Sequence, residues 1–308
     1  METVPGRIKD DKEIEINQTK YDSPWTIARK KFMKRKLPMF SLGFLIFIII
    51  ISFLAPYITT KDIYSVHLSE ISIAPNSEYW LGTDKNGRDV LTRTMYGGRV
   101  SLTIGLLSTF AVTLIGTFFG SIAGYFGGWI DNLLMRFTDF ILTIPFTVFV
   151  IVLNAIMIGF NRVTGMWSLI IVFSLLGWGG VARMVRSKIL SEKENEYVLA
   201  AISIGTKPSR VILKHLLPNV ITTIIVQATL LLASYIVAES GLSFIGVGVP
   251  PEIPSWGNML MYARQTDVLQ TMPWIWVPPA VCITLTILSI NFLGEGLKDA
   301  LDPKTETN

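Results

Sequence analysis

What most limits the folds open to this chain is a series of long, predominantly apolar runs. The first, PMFSLGFLIFIIIISFLAPYI at 38–58, has no charged side chain. It reaches the length of about 20 residues that a helix needs to cross the hydrocarbon core of a bilayer. Further runs follow at 101–126, 137–160, 166–181, 219–238 and 274–293. Gly177, Gly179 and Gly180 interrupt the fourth, which is the weakest of the six. Only 16% of the 308 residues are charged, against roughly 25% in an ordinary soluble domain, and mean hydropathy is +0.49. The expected fold class is all-α: a polytopic membrane protein with six transmembrane helices. A removed signal peptide is a poor reading of the first run, because a long polar tail precedes it and no small-residue cleavage pattern follows.

Charge then orients the spans. With the amino terminus in the cytoplasm, twenty of the 27 Lys and Arg residues fall on the cytoplasmic side, the bias of the positive-inside rule. The net charge of +4 therefore reflects membrane orientation. Cations flank the spans and form no groove or repeat, so no nucleic-acid partner is expected. The tail from Met1 to Tyr21 is rich in Lys, Asp and Glu and is expected to be disordered.

Several chemistries lack their residues. Cys282 is the single cysteine, inside an apolar run, which excludes an intrachain disulfide and points to packing. His67 and His215 are the two histidines and make no zinc motif, so no metal is expected. No Gly-Lys dipeptide exists, and hence no phosphate-cradling G-x-x-x-x-G-K-[ST] loop. The span centres carry no charge, which disfavours a proton relay or ion-coupled transport, and no nucleophile and base pair marks an intramembrane enzyme.

One stretch is neither greasy enough to span nor polar enough to be a plain loop: EYVLAAISIGTKPSRVILKHLLPN at 196–219. Tyr197, Ala200, Ala201 and Ile204 share one face of a helix. Gly205 suits a left-handed helix stop and Pro208 the first turn of a second helix. An interfacial helix on lipid headgroups and a surface that another protein approaches closely over Ala200, Ala201 and Gly205 both fit.

The run AAISIGTKPSRVILKHLLP resembles the cytoplasmic EAA loop of ATP-binding-cassette importer permeases. Ala200, Ala201, Gly205, Leu217 and Pro218 match its pattern, with Leu199 in place of the Glu and His215 in place of an Ile. Further blocks resemble the C-type permease subunit of oligopeptide, dipeptide and nickel importers: ARKKFMKRKLPMFSLG, LGTDKNGRDVLTR, GSIAGYFGGWIDNLLMRFTDFILTIP, ESGLSFIGVGVPPEIPSWGNML and NFLGEGLKDALDP. Together they cover roughly residues 29–304.

The resemblance implies a type I importer permease fold and a peptide-translocating subunit, with nickel or another small solute as the alternative. It implies a homologous B-type permease, two ATPase subunits and an extracytoplasmic peptide-binding protein as partners, besides membrane lipid. No cofactor is expected on this chain and no enzyme activity; ATP and Mg would be used by the partner ATPases. Tyr197, Ala200, Ala201, Ile204, Gly205, Lys207, Arg210 and Pro218 are the expected ATPase-coupling residues. The expected organisation is a cytoplasmic tail at 1–37, a first span at 38–60, an external loop at 61–100, a five-helix core at 101–297 with a coupling loop at 186–218, and a cytoplasmic tail at 298–308.

The remaining blocks have their own physics. Gly116, Gly120, Gly124 and Gly128 recur every fourth residue, a flat stripe for close helix packing. Asp84, Asn86 and Asp89 surround Gly87 but miss the spacing of an EF-hand. A glycine-centred turn held by Asp and Asn side chains is expected instead, with Asp84, Arg88 and Asp89 shaping an external mouth or meeting the binding protein. The loop from 239 to 276 holds Pro250, Pro251, Pro254 and Pro273 with Trp256, Trp274 and Trp276. It reads as a structured external loop anchored by Trp at the headgroups, with a re-entrant segment as the alternative. Glu239 reads as a satisfied interfacial carboxylate, with a role in the pathway as the alternative.

Overall fold

The computed structural model describes residues 24–159 and 165–301. The tail 1–23, most of the third-to-fourth turn and 302–308 lie outside the described residues, and with them the expectation for Met1 to Tyr21.

Twelve α-helices occur among the described residues: α1 Pro24–Lys34, α2 Lys36–Ile58, α3 Val90–Phe126, α4 Gly128–Thr143, α5 Phe146–Gly159, α6 Met166–Lys193, α7 Glu196–Ser203, α8 Pro208–Val211, α9 Leu217–Phe244, α10 Trp256–Leu260, α11 Thr266–Thr271 and α12 Pro273–Leu301. A lone bridge between Thr83 and Asp89 is the β-type pairing seen among them. Five helical segments are long and apolar enough to span a bilayer: α2, α3, α6, the continuous stretch Pro208–Phe244 and α12. The third expected span, 137–160, is not one straight helix. α4 and α5 meet at an angle of 84° and count as a span only as a broken pair. Pro145 is the cause: the residue before a proline is driven out of the α region, and Ile144 is extended at φ −80°, ψ 129°.

Other boundaries move for local reasons. α3 begins at Val90, not near 101, because the Asp89 side chain accepts a hydrogen bond from the Thr92 amide and caps it. At about 1.5 Å per residue, its 37 residues run about 55 Å, well past the hydrocarbon thickness. α6 continues unbroken to Lys193, so its three glycines do not interrupt it. Gly177 instead faces Tyr235 of α9, and Gly179 faces Thr138 and Leu142 of α4.

The centre of the bundle is the α3–α6 contact. A Cβ at Gly116 would stand 2.6 Å from the Cβ of Val181, one at Gly120 2.5 Å from the Ala182 carbonyl oxygen, and one at Gly124 2.8 Å from the Cβ of Ile189. The glycine stripe therefore serves a neighbour within the same chain. Gly128 does not belong to it. Gly127 and Gly128 both have positive φ, +64° and +56°, and turn the chain between α3 and α4. Polar pins hold the same end: Arg186 of α6 makes a two-pronged pair with Asp131 of α4, both contacts at 2.5 Å, and Lys193 donates to the Tyr125 carbonyl at 2.6 Å. A second apolar cluster joins α2, α3, α9, α10 and α12 through Leu45, Ile48, Leu102, Ile236, Trp256 and Ile290.

Candidate functional site

Two regions at opposite ends of the bundle carry the residues singled out by sequence. At one end, α6 gives way through Asn195 to α7, α8 and the start of α9. α7 stops in a Schellman arrangement: the Gly205 amide donates to the Ile202 carbonyl at 2.9 Å and the Thr206 amide to the Ala201 carbonyl at 3.1 Å. Gly205 has φ +76°. Pro208 then starts α8, where its missing N–H costs nothing. The helix widens to a π-turn over Ile212–Leu216, the Leu217 amide reaching back to the Ile212 carbonyl. That extra residue accommodates Pro218, whose ring clashes with the fourth preceding carbonyl in a regular helix. Pro218 is exposed in the first turn of α9.

The faces of α7 differ from the sequence expectation. Val198 and Ala201 are buried and, with Val211, Leu216 and Val220, turn toward the bundle. Ala201 is thus an anchor and not part of the outward face. Tyr197, Ala200 and Ile204 remain outward, Ile204 at 83% exposure. The Tyr197 hydroxyl is engaged within the chain: it donates to Glu192 at 3.0 Å and accepts from the Asn219 side chain, bracing α6 against α9. Leu199 and Ile202 were missed by the sequence reading and are exposed beside Ile204. α7 is apolar on most of its circumference, so spacing alone could not say which side faces in. Lys207 and Arg210 are exposed on the following turn.

At the other end, segment 61–89 meets segment 245–272. Gly87 has φ +72°, its amide donates to the Asp84 carbonyl at 3.0 Å, and Asp84 Oδ1 accepts from the amides of Asn86 and Arg88. This is the expected glycine-centred turn. Its charged side chains, however, point into the junction. Asp84, Arg88 and Arg93 are buried. Arg88 binds Asp84 Oδ2 through Nε at 2.9 Å and the Tyr262 hydroxyl through Nη2 at 2.8 Å. Arg93 lies 3.6 Å from the same carboxylate and donates to the carbonyls of Ile63 and Pro251. Burial first, and the Asp84 charge second, push the Tyr262 phenol above its usual range, so it stays protonated. Asp84 and Arg88 therefore turn inward and lock two loops together. Asp89 is spent on the α3 cap, also taking the Thr92 hydroxyl at 2.5 Å.

Glu239 is satisfied by hydroxyl groups. It is fully buried in the bundle. Ser101 of α3 donates to Oε2 and Ser243 to Oε1, both at 2.8 Å, with Ser240 at 3.4 Å. The Ser101 hydroxyl in turn accepts the Trp256 amide at 3.2 Å. Trp256, expected at the headgroups, is fully buried over Gly97 and Gly98, and its indole donates to the Thr94 carbonyl at 2.9 Å. α10 is capped by Ser255 and Asn258 in a capping box and packs on α3, α9 and α12. The loop is thus folded back on the bundle.

No group of three metal-ligating side chains occurs among the described residues. Residues 116–307 match the family described as "Binding-protein-dependent transport system inner membrane component", and residues 23–75 match "N-terminal TM domain of oligopeptide transport permease C". Among similar proteins, one of Brucella suis biovar 1 named as a peptide permease protein is 39% identical over 285 residues, 92% of this chain and 93% of that one. The dipeptide transport system permease protein DppC of Bacillus subtilis is 40% identical over 277 residues, covering 90% and 85%. The oligopeptide transport system permease protein OppC of Haemophilus influenzae is 39% identical over 293 residues, covering 94% and 92%. With its apolar helices, its broken span and this similarity along nearly its whole length, the chain belongs to the binding-protein-dependent transport system inner membrane components, a family of multi-pass transport permeases.

Proposed function

We propose that this chain is the C-type permease subunit of an ATP-driven importer of oligopeptides or dipeptides, paired with a homologous B-type permease, two ATPases and an extracytoplasmic peptide-binding protein. The peptide names of its relatives favour this substrate over nickel. The observation that carries the coupling role is the outward apolar face of α7, Leu199, Ile202 and Ile204, held by buried Val198 and Ala201 and ended by the Gly205 stop. Apolar side chains exposed on a rigid, anchored helix mark a protein-docking surface. Gly205, Lys207 and Arg210 border it, and Pro218 joins it to α9.

In this reading both termini and α7 are cytoplasmic, as the Lys and Arg bias supports. The expected tails, first span, external loop and core follow, with the external loop ending at the Asp89 cap. ATP and Mg are used by the ATPases; this chain binds neither and needs only two packings whose balance the docked ATPases shift. α7 would transmit that shift to α6 through Asn195 and to α9 through α8.

The test is uptake of labelled di- to hexapeptides, with nickel in parallel, in cells lacking the chain and complemented by wild type or Gly205→Glu. Peptide uptake restored by wild type alone, with normal membrane insertion of the variant and lost ATPase co-purification, supports the reading. Nickel uptake alone overturns the substrate, and full activity of Gly205→Glu overturns the coupling role.

A further inference from the structure

The helix ahead of the first span carries a surface that the coupling role does not use. Arg29, Lys30, Lys31, Lys34, Arg35 and Lys36 place six cations within eight residues. Arg35 is extended, at φ −91° and ψ 114°, so α1 does not continue the axis of α2. Instead Ala28 is buried and Phe32 lies against α12, where a Cβ at Gly296 would meet the Phe32 ring at 3.2 Å and Pro38 at 2.5 Å. Arg35 pairs with Asp299 of α12 at 2.5 Å. These contacts fix α1 across the end of the bundle, with Arg29, Lys34 and Lys36 exposed on its other sides.

The apolar neighbours give the level of this surface. Met33, Leu37 and Phe40 are exposed at 55%, 52% and 75%, and Leu37 and Phe40 open the span itself. The cations therefore directly precede the exposed apolar side chains of the first candidate span, Lys36–Ile58, the place where a spanning helix meets lipid phosphates. Cation clusters directly beside a transmembrane helix attract anionic lipid, each Lys or Arg adding to the attraction, and long side chains reach the headgroups while their stems cover apolar surface.

We propose that α1 and the first turn of α2 form a docking surface for anionic phospholipid headgroups. The cytoplasmic placement of this surface rests on the proposed orientation, whereas lipid retention by the purified complex does not. The test is native mass spectrometry of the detergent-purified full importer titrated with phosphatidylglycerol or phosphatidylcholine, comparing wild type with the combined variant Arg29→Gln, Lys34→Gln, Lys36→Gln. Wild type is expected to retain phosphatidylglycerol over phosphatidylcholine, and the variant to lose at least about tenfold of that retention. A charge-keeping variant, Arg29→Lys with Lys34→Arg and Lys36→Arg, should behave as wild type. Equal retention of both lipids by wild type, or undiminished phosphatidylglycerol retention by the Gln variant, overturns the proposal. Peptide uptake by the same complex reports on the proposed function separately.

Discussion

A Cβ on Gly205 would meet no heavy atom within 4 Å, so substitution there is opposed by backbone conformation and not by crowding. Gly205→Asn, which tolerates φ above zero, should keep near-normal uptake, while Gly205→Val should lose about 1–2 kcal/mol of local stability and much of its ATPase co-purification. Wild-type uptake by both variants would show that the Schellman stop is dispensable. Glu239 makes a second residue-level contrast. Glu239→Gln keeps one acceptor oxygen and sets an NH2 donor against the other serine, whose hydroxyl can rotate to accept, whereas Glu239→Ala leaves both buried hydroxyls without an acceptor, at about 1–3 kcal/mol. Thermal unfolding of the purified complex should show a clear fall in Tm for Ala and little for Gln. Gly205 and Pro208 were legible in the sequence because helix stops and starts are local events. The burial of Ala201 and Glu239 was not, because it depends on which side of each helix meets the bundle.

Among elements, α3 and α6 depend on the absence of side chains at Gly116, Gly120 and Gly124. Gly120→Leu would drive its Cβ to 2.5 Å from the Ala182 carbonyl oxygen, and overpacking of this kind costs about 1–3 kcal/mol or more. We expect poor accumulation of that variant in the membrane. Gly180→Leu, at a position with nothing within 4 Å, should accumulate normally by immunoblot. The four-residue spacing announced a close helix contact but extended it one glycine too far. Gly128 keeps the spacing while its positive φ places it in a turn. The broken pair α4 and α5 escapes apolar length for a related reason: the run continues across Pro145, although the residue before a proline is the place where a helix gives way.

Across the whole molecule, two loops far apart in sequence are joined at one end by Asp84, Arg88, Arg93 and Tyr262, with Lys85 and Asp267 paired at the rim at 2.5 Å. Removing one member of a buried ion pair leaves the others uncompensated, at about 3–5 kcal/mol. Asp84→Ala should therefore lower the Tm of the purified complex sharply. Lys85→Ala, which breaks only the partly exposed rim pair, should change it little. Equal effects would place the stabilisation outside this junction.

The sequence by itself determined the membrane class, the number and rough position of the apolar segments, the helix stop at Gly205 and the glycine-centred turn at Gly87. Each follows from composition, run length or backbone chemistry within a few residues. Only the tertiary structure decided that the glycine stripe faces α6, that Glu239 and Trp256 are buried together, that Arg88 reaches across to the Tyr262 loop, and which residues of α7 remain exposed. Those outcomes depend on contacts between helices and loops more than half the chain apart, and apolar spacing looks the same whether it faces lipid, a neighbouring helix or open space.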